Sequence, residues 1–254
     1  MNPATELTVL ILAAGKGTRM KDPGRAKVMV ELHEKPMIHY VVDLAYSLRA
    51  SRVIVIVGYQ RESVMAYIRQ SHPDAEAVVQ VEQLGTGHAV MQAAETLKGT
   101  KGDILVLSGD VPLLRKKTLE SLIRQHRLSK AMATVLTAEH DDPTGYGRVI
   151  RNHDGSVEKI VEESDADPGE RAVREINSGI YLFHTPALFD GLKHISPHNA
   201  QNEYYLTDVF EYFWRQHMVV SAVKASKFAE IQGINTIEQL EAARAAMSGP
   251  VRRS

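Results

Sequence analysis

Short aliphatic runs alternate with longer amphipathic ones through the first 140 or so of 254 residues, and this rhythm constrains the fold more than any other feature. Residues 9–12, 53–57, 78–81, 104–107 and 133–137 are rich in aliphatic side chains and short enough to be strands. Several are apolar throughout, as strands covered on both faces are, rather than apolar at every second position. Between them the spacing predicts helices over 36–49, 61–70, 87–97 and 116–127. The first opens on Pro36, whose missing N–H is not needed in a first helical turn. Strands and helices in turn imply right-handed βαβ crossovers and an α/β architecture, Rossmann-like, with a mostly parallel mixed sheet flanked by helices.

From about residue 141 the texture changes. Residues 147–151 and 157–161 flank Asn152-His153-Asp154-Gly155, and Asp-Gly between two β-like runs signals a hairpin. A long strand-like run follows over 175–183, with helices expected at 186–193, 207–215 and 236–247. This half reads as a mixed, β-rich extension of the same sheet, able to close over a site on the first half. One domain is therefore expected over 1–247, with 248–254 as a flexible tail and no internal repeat.

Composition removes several classes of function. Hydrophobic residues at 44% and charged residues at 24% are those of a globule rather than a disordered chain. Thirty Lys and Arg against 31 Asp and Glu leave a net charge of -1, which excludes a general nucleic-acid-coating surface. With no Cys there are no disulfides and no thiolate metal sites. No apolar run nears the ~20 residues that span a bilayer, and the N-terminus lacks the basic start of a signal peptide. The expectation is a cytoplasmic protein that engages neither nucleic acid nor membrane.

Leu12-Ala13-Ala14-Gly15-Lys16-Gly17-Thr18-Arg19-Met20 directly follows the first strand. Small residues and two glycines let backbone N–H groups approach an anion, and Lys16 and Arg19 add charge. The stretch is neither a P-loop nor the three-glycine dinucleotide pattern. A tight turn with exposed basic residues accounts for it equally well. Ser108-Gly109-Asp110-Val111-Pro112 closes the strand over 104–107, where a carboxylate can enter the crevice of an open sheet or merely cap a turn. Gln83-Leu84-Gly85-Thr86-Gly87-His88-Ala89 exposes backbone groups and one amide suited to the edge of a flat base, or opens a helix with Thr86 as cap. The 11 His are scattered, without metal-ligand spacing.

Eight stretches in order, LAAGKGTRM with a downstream Lys, QLGTGHA, GDVPL, YGR, IVEE, EINSGIY, NEYYLTD and a late QGIN, resemble nucleotidyltransferases that make nucleotide sugars. They are most like the uridyltransferase domain of the bacterial N-acetylglucosamine-1-phosphate branch, over about residues 8–247. The resemblance implies the nucleotide-diphospho-sugar transferase fold, with a nucleotide-binding half over 1–140, a sugar-binding half over 141–235 and a closing helix over 236–247. It implies the joining of UTP and N-acetylglucosamine 1-phosphate to give the UDP-sugar and pyrophosphate, with Mg²⁺ as cofactor. Leu12, Ala13, Ala14 and Gly15 match positions that meet the nucleotide, Gln83, Gly85 and Thr86 those that read uracil, and Gly109 is a further nucleotide-binding candidate. Arg19 and Lys27 match the catalytic, phosphate-holding pair, and Asp110 and Asn235 the Mg²⁺ ligands. Gly147, Glu162 and Asn177 match sugar contacts, and Tyr205 is a sugar-side candidate. The attacking phosphate is already anionic, so positioning and charge neutralisation suffice without a general base. Another sugar 1-phosphate or nucleotide, or a regulatory module that binds nucleotide sugars without turnover, are the alternatives.

The pattern departs from the family at several places. Ala26 stands where Pro usually precedes the reactive Lys, in a loop one residue longer; Ser164 replaces a Lys, and Asn202 a Gly. Asn235 is followed by Thr236-Ile237 rather than a polar residue and Arg. Nothing after Met247 resembles the left-handed β-helix acetyltransferase of bifunctional members. A monomer or small homo-oligomer is therefore expected rather than the β-helix trimer.

Overall fold

The computed structural model describes residues 5–17 and 24–248. Its centre is β1 (Leu7–Ala13), LTVLILA. Successive side chains of a strand point to opposite faces, so a strand with helices on both sides is apolar at nearly every position, buried Thr8 being the exception here. Val9 and Ile11 enter one core, Leu10 the other. β1 pairs in parallel with β4 (Arg52–Val57) on one side and β6 (Asp103–Ser108) on the other. β5 (Glu76–Val79) extends the β4 side as the edge strand. It starts two residues before the expected 78–81, and Val81 is left exposed beyond it.

α1 (Met37–Ser47), α2 (Arg61–Ser71) and α4 (Lys116–Ser129) cover one face, where Val41, Val64 and Leu119 are wholly buried. α3 (Thr86–Gln92) lies on the other and gives way to turns after Gln92, earlier than the expected 97. Between β1 and α1, a two-residue ladder joins β2 (Glu31–Leu32) to β3 (Lys35–Pro36).

The second half joins the same sheet. β10 (Glu175–His184) runs antiparallel between β6 and β7 (Ala133–Glu139), and β11 (Val220–Lys224) adds to β7 in parallel. The expected hairpin is present: β8 (Arg148–Arg151) and β9 (Val157–Val161) pair antiparallel around a turn in which Gly155 has φ +84°. β8 also pairs with β10, making nine strands in one mixed sheet. A one-turn helix, α5 (Pro168–Arg171), precedes β10; α6 (Thr185–Gly191) and α7 (Asp208–Arg215) cover the second face. Finally α8 (Ile237–Ser248) returns to the first half, burying Leu240 and Ala243 against Leu32 and Met37. Ser248, expected in the tail, is its last residue, and 249–254 lie outside the described residues. Among the described residues no helix is long and apolar enough to cross a membrane.

Candidate active site

Strand order reverses between β1 and β6, because β4 and β5 continue to one side of β1 while β6 lies on the other. Loops that leave a parallel sheet at such a point part and open a crevice beyond the carboxyl ends of the strands. A cavity of about 270 Å³ sits there, lined by residues 12–15 after β1, Gln80, Gln83, Gly85 and Thr86 before α3, and Ser108 and Asp110 after β6. Lys27 and Glu203 complete its wall.

At one end of the cavity, Lys27 Nζ forms an ion pair with Asp110 and donates to Asn235 Oδ1 at 2.8 Å. Each partner is held by its own element. Lys27 opens a short 3-10 turn, and Gly17, at φ +61°, packs so closely on its stem that any Cβ would collide with it. Asp110 lies two residues beyond the end of β6, and its carbonyl accepts from Ile234 N–H at 2.9 Å. Asn235 is turned by its own amide, whose Nδ2 donates to Gly233 O at 3.1 Å. Thr236 and Gln239 form the reciprocal bonds of a capping box at the start of α8, and Gln239 Oε1 also accepts from Asn235 N–H at 2.7 Å. Two oxygens, one carboxylate and one amide, thus meet on a single positive charge. That donor set fits a hard divalent cation such as Mg²⁺.

The backbone N–H groups of Gly15, Lys16 and Gly17 have no acceptor among the described residues. Arg19 lies outside the described residues. Gly109, a nucleotide-binding candidate, is not among the residues lining the cavity and packs closely, since a Cβ there would come within 3.1 Å of Ile38 and Val28.

The base-side wall is held from behind. Gln83 Nε2 donates to the carbonyls of Gln80 and Val81, both at 3.2 Å, which leaves Oε1 without a partner among the described residues. Buried Gln80 donates to Gly85 O at 3.1 Å and engages His88. Gly85, at φ +110°, lies so near the 203–204 backbone that a Cβ would come within 2.5 Å of Tyr204 O. Thr86 is not the helix cap; Gly85 is, and the Thr86 hydroxyl accepts from Leu206 N–H at 3.0 Å. With Gly87 N–H to Tyr204 O at 2.7 Å and Tyr204 N–H to Leu84 O at 2.8 Å, the turn before α3 is laced to the segment 204–206.

Gly147, Glu162 and Asn177 form a second group. A Cβ at Gly147 would lie 3.2 Å from Glu162 Oε2 and 3.4 Å from Asn177 Cβ. Glu162 Oε1 accepts from Thr207 at 3.1 Å, and burial pushes its carboxyl above the usual range, with Asp165 and Glu203 adding to the shift. Asn177 Nδ2 donates to Tyr181 Oη at 2.8 Å. Tyr205 is buried, its hydroxyl donating to Asp165 Oδ2 at 3.2 Å; burial raises the phenol to about 12. The YGR and IVEE stretches meet through wholly buried Arg148, paired with Glu163 at 2.8 Å. Sequence reasoning missed Gln80, Thr207 and Glu203. Thr207 and Glu203 lie within a quoted motif, whereas Gln80 fell inside the strand expected over 78–81 and the observed strand ends before it, at Val79.

A crevice of this kind, with backbone donors that have no acceptor among the described residues at one strand end and a carboxylate beyond the other, marks an α/β protein whose candidate site lies at the switch point of its sheet. The chain belongs to the nucleotidyl transferase family, whose model matches residues 8–229. It is 48% identical over 235 residues, 92% of its length, to the bifunctional protein GlmU of Pelotomaculum thermopropionicum. It is 44% identical over 244 residues, 96% of its length, to the same-named protein of Bacillus cereus. The chain spans about half the length of these curated relatives, 50% and 52%. A crystal structure of UDP-glucose pyrophosphorylase complexed with UDP-glucose aligns with a TM-score of 0.74, covering 96% of this chain and 98% of that one. At 19% identity that likeness is one of fold, and it bears out the expected nucleotide-diphospho-sugar transferase architecture.

Proposed function

We propose that this chain is a uridylyltransferase that joins UTP to N-acetylglucosamine 1-phosphate, giving the UDP-sugar and pyrophosphate in the cytoplasm. The reading is carried by one observation: Lys27, Asp110 and Asn235, from three separate elements, converge beside a cavity at the switch point of the sheet. Identity of 44–48% to GlmU proteins over most of the chain supports the choice of substrates.

Gln83 Oε1 offers the acceptor that the imide N–H of uracil needs, and Gly85 and Thr86 lie against the base edge. Gly15, Lys16 and Gly17 present their N–H groups to the phosphates, and Arg19, outside the described residues, keeps the phosphate-holding role that its motif implies. The sugar sits toward Gly147, Glu162 and Asn177, where Glu162 takes hydrogen bonds from its hydroxyl or amide groups. Tyr205 braces that wall through Asp165 rather than touching the sugar. An oxygen of the sugar phosphate attacks the α-phosphorus of UTP, and the bond to the bridging oxygen breaks as pyrophosphate leaves. The attacking oxygen is anionic already, so no side chain removes a proton. The barrier is repulsion between anions, which Lys27 lowers by moving its charge from Asp110 to the phosphates. Asp110 and Asn235 would hold Mg²⁺, which supplies charge neutralisation and orients the triphosphate.

Pyrophosphate release from a panel of sugar 1-phosphates tests this. Activity should be highest with UTP and N-acetylglucosamine 1-phosphate. Asp110→Ala should lose at least about a hundredfold in kcat while keeping the native circular dichroism spectrum. A different best substrate would reassign the specificity, and binding of the UDP-sugar with no release would make the protein a non-catalytic binding module.

A further inference from the structure

A second group of metal-ligating side chains lies on the outer helices, away from the crevice. His39 and Asp43 stand one turn apart on α1, and His72 closes the end of α2. One ligand atom from each lies within 4.8 Å of the others. His39 Nε2 is 3.2 Å from Asp43 Oδ2, and His72 Nε2 is 3.0 Å from Asp43 Oδ1. A tetrahedral ion with bonds of about 2 Å sets its ligands about 3.3 Å apart. Two of the three side chains, His39 and Asp43, stand four residues apart on one helix, and the fold brings His72 to them from another.

The surrounding hydrogen bonds select the ring nitrogens. The Ser71 hydroxyl donates to Tyr67 O at 2.8 Å, so its oxygen accepts from His72 Nδ1 at 2.8 Å. Lys35 Nζ has only protons to give and lies 2.7 Å from His39 Nε2, so that nitrogen accepts while Nδ1 donates to the Tyr67 hydroxyl at 3.0 Å. Both rings therefore keep Nδ1–H on a hydroxyl and turn Nε2 toward Asp43. This is the outer-shell arrangement that orients metal-bound histidines. A bare Nε2 beside a carboxylate is satisfied only by a second ring proton or by a cation held in common. Beside His39 the cation is the ammonium of exposed Lys35.

We propose that His39, Asp43 and His72 form a site for a borderline divalent transition metal of the Zn²⁺ class, completed by water, with Lys35 as a competing cation. Two imidazoles and one carboxylate suit such an ion, whereas the oxygen-only pair Asp110 and Asn235 suits Mg²⁺. The bound ion would tie α1 to the end of α2. Because α1 also packs on the turn that carries Lys27, it would stiffen the support of that residue.

The test uses the full chain stripped with a chelator and titrated with Co²⁺ alone. One equivalent should give the visible absorption of a tetrahedral nitrogen- and oxygen-ligated ion, and Zn²⁺ should abolish it. Asp110→Ala should keep the band. His39→Ala and Asp43→Ala, the latter at an exposed position, should weaken Co²⁺ binding at least about tenfold while the circular dichroism spectrum stays native. Lys35→Ala should tighten it, because the competing charge is gone. No visible band, an unchanged affinity in Asp43→Ala, or weaker binding in Lys35→Ala would each overturn the proposal.

Discussion

At Ala26 the backbone already has proline's geometry, with φ -62° and ψ 136°. The departure from the family's Pro therefore leaves Lys27 where a Pro would put it, and Gly17 seats its stem from the other side. The Ala26 N–H has no acceptor among the described residues. Ala26→Pro should stabilise the protein by about 0.5 kcal/mol, chiefly by restricting the unfolded chain, without slowing turnover; urea denaturation and steady-state rates check both. Asn202 likewise takes over a Gly position by adopting φ +53°, a region Asn tolerates better than most residues. Asp208 behaves differently. Burial pushes its carboxyl up to about 6, with Glu211, Glu162 and Asp165 adding to the shift. The folded state holds this proton more tightly than the unfolded chain, where Asp titrates near ~3.9. Its stabilising contribution is complete below about pH 4 and is lost as the pH rises through about 6. Asp208→Asn should therefore raise the Tm at about pH 7.5 and leave it nearly unchanged at about pH 4, the difference amounting to ~1 kcal/mol after allowance for partial exposure.

Among the elements, β10 hides the most behind an ordinary pattern. Its sequence reads as one long strand, and 175–183 was legible as such within a residue of the observed Glu175–His184. The ladder to β7 slips between Asn177 and Tyr181, and Gly179 sits there at φ +74°. Ser178 replaces the lost ladder bonds, donating to Leu136 O at 2.6 Å and accepting from Ile180 N–H at 3.1 Å. Gly179 N–H donates to Asn177 Oδ1 at 3.1 Å, which fixes the amide beside Gly147 and Glu162. Periodicity cannot report a bulge, because the extra residues leave the apolar content of the strand intact. Gly179→Ala would need a left-handed Ala with its Cβ 3.2 Å from Ser108 Oγ. It should cost about 1–2 kcal/mol. It should also raise the KM for the sugar phosphate several-fold while sparing that for UTP, as denaturation and two-substrate kinetics would show.

For the whole molecule, alternation of strands and helices was enough to give the architecture, since a sheet covered on both faces leaves a continuous apolar signature. Which distant segments meet was not legible in local spacing. Nothing in the periodicity brings Asn235 to Asp110, or laces 204–206 to the turn before α3; only the resemblance to a known family pointed to the first, and nothing pointed to the second. Because β10 is hydrogen-bonded to both β6 and β7, the boundary expected near residue 140 falls inside one continuous sheet. α8 then returns to pack on the first half. Calorimetry should accordingly record a single transition, with the van 't Hoff and calorimetric enthalpies agreeing within about 10%. Two resolved peaks would mean that the halves unfold separately.

Lys27, lodged between Asp110 and Asn235, means that the resting crevice carries its own counter-ion on a tether. On the proposed function, a free divalent ion arriving alone would find the berth taken, and evicting the ammonium would strand it beside a second positive charge. A triphosphate would change the balance by giving the lysine somewhere better to go. Ion and nucleotide would then gain entry as one cargo.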